Sequence, residues 1–295
     1  FINLSDIPAA ILKSILKDAH AHKKSKMEPE QILHGLTVAM IFDKESTRTR
    51  VSFETGVGQL GGHTLFMNAG HSQMGNDETI ADTSRVMSRY VDALVLRLSK
   101  HEDVEEFAKY ATIPVINAMT NKSHPCQIMA DMMTIEEYKG SIDGLKIAFL
   151  GDLFNVPMTF IEAAEIFNYN LSVAVPNPTG DVQTAKNVTF VKTAEDAVKG
   201  ADVVVTDTWV SMGQGEKDLT PYQPFQVNAA LMAKAKPDAI FMHCLPAHRG
   251  HEVTNEVLDG PQSVVFDEAE NRLHVQKSIM AWCLQNAGVT PKSKL

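Results

Sequence analysis

The stretch Gly35-Leu-Thr-Val-Ala-Met-Ile-Phe-Asp-Lys-Glu-Ser-Thr-Arg-Thr-Arg50 contains a strand, a hydroxyl-rich turn and the start of a helix. Its apolar run, 36–42, predicts a buried strand, and residues 51–60 predict a helix. Ser46 or Thr47 is a suitable N-cap, because a short hydroxyl side chain accepts hydrogen bonds from N–H groups of the first turn. Such a turn directs several N–H groups and the positive end of the helix dipole towards one point. The stretch therefore predicts an anion site, with a capped surface helix as the alternative.

The chemistry of this turn favours a phosphate dianion, because hydroxyl groups and a guanidinium fork match the oxygens of phosphate. Arg48 and Arg50 are two residues apart, so they project from different sides of a helix. We therefore expect only one of them to reach the anion and the other to form an ordinary ion pair.

The composition is that of a globular protein. The chain has 295 residues, of which 21% are charged and 44% hydrophobic, and this length suggests two domains. The net charge of −9 argues against a surface for nucleic acid or an anionic membrane, so local arginines must attract any anionic substrate. Three cysteines are too few for a disulfide framework, and they indicate a reducing compartment, which we expect to be the cytoplasm. We recognise neither a membrane-spanning stretch of about 18 apolar residues nor an apolar signal segment.

Strand and helix patterns alternate along the whole chain. This alternation predicts an α/β fold with two domains, each a parallel sheet flanked by helices, and a cleft between them. Gly140 and Gly144 mark a candidate junction, whereas 68–77 is predicted to be an exposed loop and 176–187 a short polar connection. Strands are predicted near 36–42, 63–67, 91–98, 113–118, 145–150, 171–175, 202–207, 239–244 and 263–266, and helices near 5–24, 51–60, 78–90, 101–111, 125–139 and 267–286.

The segment Gly56-Val-Gly-Gln-Leu-Gly61 matches the dinucleotide-binding fingerprint G-x-G-x-x-G. That fingerprint has to follow a strand and open a helix, because its glycines bring the helix N-terminus close to a pyrophosphate. Here the segment closes a predicted helix and precedes a predicted strand. The inverted order argues against a nicotinamide nucleotide site.

Ligands of open parallel sheets bind at the carboxyl ends of the strands, so polar residues that follow predicted strands are site candidates. Arg97 ends an apolar strand, where it would face either a ligand or a structural carboxylate. His124 enters a predicted helix and either donates to a carbonyl oxygen, on the same side as Gln127, or caps the helix. Cys244 is a nucleophile, a metal ligand or a small buried side chain, and zinc is disfavoured because no Cys-x-x-Cys pair is present. The other candidates are Ser46 to Thr49, Asn117 to Ser123, Asp152, Asn155, Asp207 to Ser211, His243 and Asp267.

Several short motifs are spread in order over almost the whole chain. They are Phe42-Asp-Lys-Glu-Ser-Thr-Arg-Thr-Arg50, Ser72-Gln-Met-Gly75, Leu96-Arg97-Leu98, His124-Pro-Cys-Gln127, Asp207-Thr-Trp-Val-Ser-Met-Gly213, His243-Cys-Leu-Pro246 and Glu270-Asn-Arg272. Each motif is weak alone, but together they are specific, and the series resembles the aspartate/ornithine carbamoyltransferase family. Within that family, the Ser-Met-Gly triplet at 211–213 favours the members that use ornithine over those that use aspartate or putrescine.

The resemblance implies transfer of the carbamoyl group from carbamoyl phosphate to the δ-amine of L-ornithine. Direct attack through a tetrahedral intermediate would give L-citrulline and phosphate, with no cofactor and no metal. It also implies arginine biosynthesis and a homotrimer with shared active sites. The implied domains are 1–125 for carbamoyl phosphate, with a helix at about 278–295 packed back onto it, and 126–277 for ornithine.

The site residues of the family carry over motif by motif. Arg97, His124 and Cys244 are the implied catalytic residues. Gln73, on the predicted exposed loop, resembles a residue that reaches into the site of a neighbouring subunit. The implied carbamoyl phosphate ligands are Ser46, Thr47, Arg48, Thr49, Gln73, Arg97, His124, Gln127, Cys244, Leu245 and Arg272, and the implied ornithine ligands are Asn155, Asp207, Ser211 and Met212.

Two positions depart from the family pattern. Phe154 precedes Asn155 where two adjacent asparagines are usual, and Thr159 replaces a usual serine. The alternatives are a carbamoyltransferase for another amine, a non-catalytic paralogue and a nucleotide-dependent oxidoreductase. The intact set of candidate site residues argues against the paralogue, and the misplaced glycine fingerprint argues against the oxidoreductase.

Overall fold

A computed structural model of the chain describes residues 1–25, 30–71, 78–176, 185–211 and 214–291. The chain forms two compact units, Phe1–Met129 with Arg272–Leu295, and Ala130–Asn271. The sequence analysis instead places the boundaries at 125/126 and near 278. The predicted site residues Gln73 and Met212 lie outside the described residues.

The first unit holds a parallel sheet flanked by helices. Its elements are α1 (Ala9–Lys24), β1 (Thr37–Phe42), α2 (Thr47–Gln59), β2 (His63–Asn68), α3 (Ile80–Tyr90), β3 (Ala93–Arg97), α4 (His101–Tyr110), β4 (Val115–Met119) and the start of α5 (Pro125–Lys139). The strand order is β2-β1-β3-β4. β1 is the strand that the opening stretch predicts, and it is buried from Val38 to Phe42. Because β1 lies between β2 and β3, the turn that follows it is at the carboxyl end of a central strand.

The glycine-rich segment 56–61 closes α2 and precedes β2, in the order that the sequence predicts. Gly61 has a φ of +83°, which glycine adopts without steric cost. At Gly62 an added Cβ would lie 2.8 Å from Cγ1 of Val57 and 2.9 Å from Cβ of Leu33, so a side chain does not fit. These glycines therefore end a helix and pack against its last turns.

The second unit holds a five-stranded parallel sheet in the order β7-β6-β5-β8-β9, counted in chain order. Its elements after α5 are β5 (Lys146–Leu150), α6 (Asn155–Phe167), β6 (Asn170–Ala174), β7 (Val188–Val191), α7 (Ala194–Val198), β8 (Val203–Thr206), α8 (Ala229–Met232), β9 (Ile240–Met242), α9 (Asn255–Leu258) and α10 (Val265–Asn286). The predicted α/β fold with two parallel, helix-flanked sheets is confirmed. Among the described helices, none has the length and apolar character that a bilayer crossing requires.

Two predicted details of this unit are wrong. β7 falls where no strand is predicted, because this edge strand has only four residues, Val-Thr-Phe-Val, and so short an apolar run does not distinguish a strand from a loop. The strand predicted at 263–266 is reduced to one bridge between Phe241 and Ser263. α10 begins at Val265, with Asp267 and Glu268 in its first turn, where negative charge is favoured by the helix dipole.

Candidate active site

Ser46 is the N-cap of α2. Its backbone is extended, and its Oγ accepts a hydrogen bond from the backbone N of Thr49 at 3.3 Å. Thr47, the other candidate cap, is the exposed first residue of the helix. The polar turn therefore leads directly into a helix N-terminus, whose first N–H groups and positive dipole end suit an anion.

The two arginines of this turn differ in their surroundings, as the sequence predicts. Arg50 forms an ion pair with Glu54, with 3.0 Å between Nε and Oε1, and its guanidinium lies over the Phe66 ring. Arg48 is half-buried, and its charge acts on the imidazole of His124. Arg48 is thus the arginine directed towards the candidate site.

The hydroxyl of Thr49 joins two buried arginines. Its Oγ1 accepts from Nη1 of Arg97 at 3.2 Å and from Nη2 of Arg272 at 3.3 Å. Arg272 also donates through Nη1 to Oε1 of Gln127 at 2.6 Å. These four side chains come from α2, β3, α5 and α10, and all are nearly inaccessible to solvent. The structure therefore gathers four of the predicted site residues in one hydrogen-bonded cluster.

The position of Arg97 follows from an irregularity at the end of β3. Leu96 pairs with Asn117, whereas Arg97 pairs with Met119, so the register shifts between the two residues. Such a shift changes the direction of the side chain at a strand end. The guanidinium of Arg97, at the end of an otherwise apolar strand, thus donates a hydrogen bond to the hydroxyl of Thr49.

His124 is buried directly before α5. Burial is the main cause that holds its pKa well below its ordinary value, and the charges of Arg272, Arg97 and Arg48 add to the effect. The imidazole is therefore neutral at pH 7. Three guanidinium groups act on one neutral ring, and this creates a positive potential that suits a ligand with two negative charges.

A second cluster lies in the other unit, at the carboxyl ends of β8 and β9. The thiol of Cys244 donates to Oδ1 of Asp207, with 3.2 Å between sulfur and oxygen. The same oxygen accepts from the backbone N of Thr208 at 2.7 Å. The two neighbouring strands thus bring together residues that are far apart in sequence.

The environment of Cys244 argues against a nucleophile. Burial, followed by the charges of Asp207 and Glu268, raises the pKa of this thiol well above its ordinary value. The thiolate, which is the reactive form, is therefore disfavoured at neutral pH. The thiol acts instead as a neutral hydrogen-bond donor.

The metal interpretation of Cys244 is also weakened by hydrogen bonds. Asp207, His243 and Cys244 offer ligand atoms within 4.8 Å of one another. However, Nδ1 of His243 accepts from the backbone N of Leu245 at 2.9 Å, and Nε2 is paired with Glu252. A metal would have to displace one of these contacts, so the residues do not fit a metal site.

The two other described residues that are predicted to bind the acceptor also follow strands of this unit. Asn155 is the buried first residue of α6, after β5. Ser211 is buried after β8, and within the described part of the chain its Oγ has no hydrogen-bond partner. A buried hydroxyl without a partner is unfavourable unless a ligand or water completes it.

Sequence reasoning missed a pair of buried acids in this unit. Glu268 forms a hydrogen bond with Asp131, and burial followed by the nearby Asp131 charge raises the pKa of Glu268 well above its ordinary value. Glu268 also accepts from the backbone N of His243 at 2.9 Å. The sequence candidate Asp267, by contrast, accepts from the exposed Tyr138 hydroxyl. An aspartate inside the apolar run 128–133 is the signal that would have found the pair.

Asp152, another candidate from the sequence, follows β5 and anchors a nearby loop. Its Oδ1 accepts from Nζ of Lys217 at 2.7 Å and from the Tyr222 hydroxyl at 2.8 Å. Lys217 also lies over the Tyr222 ring. The carboxylate is therefore engaged by its own unit and has a structural role.

Two family models together match most of the chain. Residues 1–137 match the model described as aspartate/ornithine carbamoyltransferase, carbamoyl-P binding domain. Residues 143–283 match the model described as aspartate/ornithine carbamoyltransferase, Asp/Orn binding domain.

Known proteins of high similarity carry a consistent name. An ornithine carbamoyltransferase of Brucella abortus (strain 2308) is 53% identical, over 98% of this chain and 96% of that protein. The solved structure of ornithine carbamoyltransferase from Pyrococcus furiosus is 47% identical over 95% of each chain, with a TM-score of 0.90. That from Burkholderia thailandensis E264 is 40% identical over 96% of this chain and 98% of that one, with a TM-score of 0.90.

The depressed pKa of His124 predicts a dependence of stability on pH. The unfolded chain binds a proton near pH 6.5 that the folded chain does not bind, so acidification below this pH lowers the free energy of unfolding. In His124→Gln this contribution is absent, so stability should fall less between pH 7.5 and 5.5 than in the wild type. Urea unfolding at several pH values measures the difference, with the exposed His251→Gln as the control. Equal slopes for wild type and His124→Gln would contradict the assignment.

Proposed function

We propose that this chain, which belongs to the aspartate/ornithine carbamoyltransferase family, transfers the carbamoyl group of carbamoyl phosphate to the δ-amine of L-ornithine, giving L-citrulline and phosphate. The observation that carries the proposal is the cluster of Thr49, Arg97 and Arg272 beside the neutral His124. Its positive potential and helix N-terminus suit an acyl phosphate dianion. The names of the similar proteins support ornithine as the acceptor.

In this proposal the first unit binds carbamoyl phosphate. The N-terminus of α2 and Arg48 hold the phosphate, since backbone N–H groups and a guanidinium fork are strong partners for its oxygens. Gln127 and Arg272, already hydrogen-bonded to each other, complete the cluster around the carbamoyl group. The full set proposed for this ligand in the first unit is Ser46, Thr47, Arg48, Thr49, Gln73, Arg97, His124, Gln127 and Arg272.

The chemical step is direct attack of the amine on the carbonyl carbon. Carbamoyl phosphate is a mixed anhydride, so its phosphate leaves from the tetrahedral intermediate without a covalent enzyme intermediate. Arg97, His124 and Thr49 donate hydrogen bonds to the oxyanion that forms, and each such donor is typically worth about 3 kcal/mol. Thr49 accepts both guanidinium contacts through its oxygen, which leaves its own proton for the oxyanion.

The amine has to lose a proton before it attacks. With a lysine-like pKa of about 10.4, neutralising it at pH 7 costs roughly 5 kcal/mol. Cys244 beside the δ-nitrogen stays a neutral thiol, so it does not add a charge that would favour the ammonium form. The leaving phosphate is the proposed proton acceptor, which is consistent with its proximity to the attacking nitrogen.

The acidic character of the second unit favours a cationic acceptor. Asp207 would hold the α-amino group of ornithine, with Asn155, Ser211 and Met212 as the further proposed contacts. Asp207 and the hydrogen-bonded pair of Asp131 and Glu268 act on Cys244 with a net negative charge, so this site repels a dicarboxylate. The acidic cluster therefore disfavours aspartate, the other acceptor named for the family. We place the reaction in arginine biosynthesis in the cytoplasm.

A homotrimer with shared active sites is part of the proposal. β2 is an edge strand of the sheet, and its first three residues are exposed. Leu65, on this strand, is 44% exposed. Val51 is 55% exposed and lies on α2, the helix that follows β1, the strand paired with β2. An open edge with exposed apolar residues is a surface that proteins usually cover, and a second copy of the chain would cover it.

The activity is tested by citrulline formation from ornithine and carbamoyl phosphate. Arg48→Ala should lower kcat/KM for carbamoyl phosphate by about 100-fold, because it removes a charged donor from the phosphate. Arg50→Ala is the matched control and should stay within about threefold, since it removes a surface ion pair with Glu54 and a ring contact with Phe66, both away from the phosphate. Absence of citrulline with the wild type, or equal losses in both variants, would refute the proposal.

The assembly is tested by light scattering on the eluting protein. The wild type should have about three times the chain mass of 32.4 kDa. Leu65→Asp should shift the mass towards that of one chain, because a carboxylate buried at the interface between subunits would lose its hydration without gaining a partner. Phe266→Asp, at a site 67% exposed on the other unit, is the control and should keep the wild-type mass. A wild-type mass of one chain would exclude the trimer.

A further inference from the structure

His243 fixes the backbone on both sides of Cys244. It is the first residue beyond β9, and it is fully buried. Its backbone N donates to Oε2 of Glu268 at 2.9 Å, and its ring Nδ1 accepts from the backbone N of Leu245 at 2.9 Å. The residues on either side of the cysteine are therefore fixed by contacts of one histidine.

These contacts determine the tautomer of the His243 ring. Because Nδ1 accepts a hydrogen bond, the proton of the neutral ring is on Nε2. Nε2 lies 3.2 Å from Oε1 of Glu252, so the ring donates to this carboxylate. Glu252 is fully buried, and its Oε1 also accepts from the backbone N of His248 at 2.5 Å.

The segment that this network holds has an unusual backbone. Leu245 has a φ of +58°, a left-handed conformation that residues with a side chain rarely adopt. The hydrogen bond from its N–H to Nδ1 of His243 stabilises that turn. With the turn in place, Sγ of Cys244 lies 3.2 Å from Oδ1 of Asp207.

We infer that Glu252 is a positioning residue for Cys244, acting through the tautomer and orientation of His243. The inference rests on the proposed function, in which Cys244 lies beside the acceptor amine. Glu252 touches neither substrate in that scheme. Its carboxylate accepts the Nε2 proton and thereby leaves Nδ1 as the acceptor for Leu245.

Loss of the Glu252 carboxylate would remove the hydrogen-bond acceptor of the His243 ring. Without an acceptor at Nε2, the buried N–H has no partner, so the ring is driven to rotate or to move its proton to Nδ1. A proton on Nδ1 faces the N–H of Leu245, and two donors cannot form a hydrogen bond. The left-handed turn then relaxes, and the thiol of Cys244 moves away from Asp207.

The test compares substitutions that keep or remove the acceptor. Glu252→Gln keeps a carbonyl oxygen at the position of Oε1, where both observed hydrogen bonds end, so it is the conservative variant. Glu252→Leu removes the acceptor at similar volume. Glu252→Asp keeps the charge but shortens the side chain by one methylene, which moves the oxygens away from His243. This variant takes the place of Glu252→Leu if the leucine variant is insoluble. Glu256→Leu, at an exposed position of α9, is the control for an added leucine.

Two readouts separate positioning from stability. The first is kcat and KM for citrulline formation, where Glu252→Leu and Glu252→Asp should lower kcat by about tenfold or more with little change in KM for carbamoyl phosphate. The second is the rate at which iodoacetamide alkylates Cys244, resolved by mass spectrometry from the buried Cys126 and Cys283. This rate should rise by about tenfold, because a thiol released from Asp207 ionises more readily. Glu252→Gln and Glu256→Leu should stay close to the wild type in both readouts.

The outcomes distinguish this inference from the proposed function. If the wild type forms no citrulline, the proposed function fails, whereas the alkylation rates still report on the position of Cys244. If the wild type is active and the leucine and aspartate variants alkylate at the wild-type rate, Glu252 does not position the thiol. A fall in melting temperature with unchanged alkylation of Cys244 would reduce Glu252 to a structural residue and overturn the inference.

Discussion

The hydroxyl of Thr49, with two guanidinium groups donating to it, is the contact on which the first unit depends. Burying Arg97 and Arg272 costs free energy that hydrogen bonds only partly recover, so a fold selected for stability alone has little reason to keep them. The contact joins α2, β3 and α10, and it places both charges next to the helix N-terminus that Ser46 caps. His124 stays neutral in this arrangement, because burial, and after it the arginine charges, lower the pKa of its imidazole.

The second unit has the opposite electrostatic character. Asp207 accepts from Cys244, and Glu268 shares a hydrogen bond with Asp131. In the proposed reaction the dianionic donor and the cationic acceptor thus each meet a unit whose charge is opposite to their own. Within each unit the reactive groups are held by hydrogen bonds to neighbouring elements, so little reorganisation is needed when charge develops.

Much of this arrangement could be predicted from local patterns. The apolar run before Ser46 and the spacing of Arg48 and Arg50 were sufficient to predict β1, an N-cap at Ser46 or Thr47, and an ordinary ion pair for one of the two arginines; the structure identifies the cap as Ser46 and the pair as Arg50 with Glu54. The order of helix before strand was sufficient to argue against a dinucleotide-binding loop at 56–61, and the structure has this order. These features depend on residues within about one helical turn of each other, where periodicity and capping act.

What could not be predicted depends on contacts between distant residues. The strand expected at 263–266 is shortened because only Ser263 finds a bridging partner, Phe241, before the acidic first turn of α10 begins. Nothing in the sequence around Glu252 and Glu268 indicates that they are buried. Both form hydrogen bonds with His243, which is 9 residues from Glu252 and 25 residues from Glu268. For Asp131, the apolar run around it indicates burial but not the acid with which it pairs.

The central claim is that the N-terminus of α2, together with the arginines around Thr49, binds the doubly charged leaving group. The most direct test is a crystal structure with a bisubstrate mimic in which a phosphonate is linked to the δ-nitrogen of ornithine. We expect the phosphonate oxygens to lie within about 3 Å of the Arg48 guanidinium and of backbone N–H groups in the first turn of α2. A phosphonate bound elsewhere, with these N–H groups directed away from it, would contradict the account.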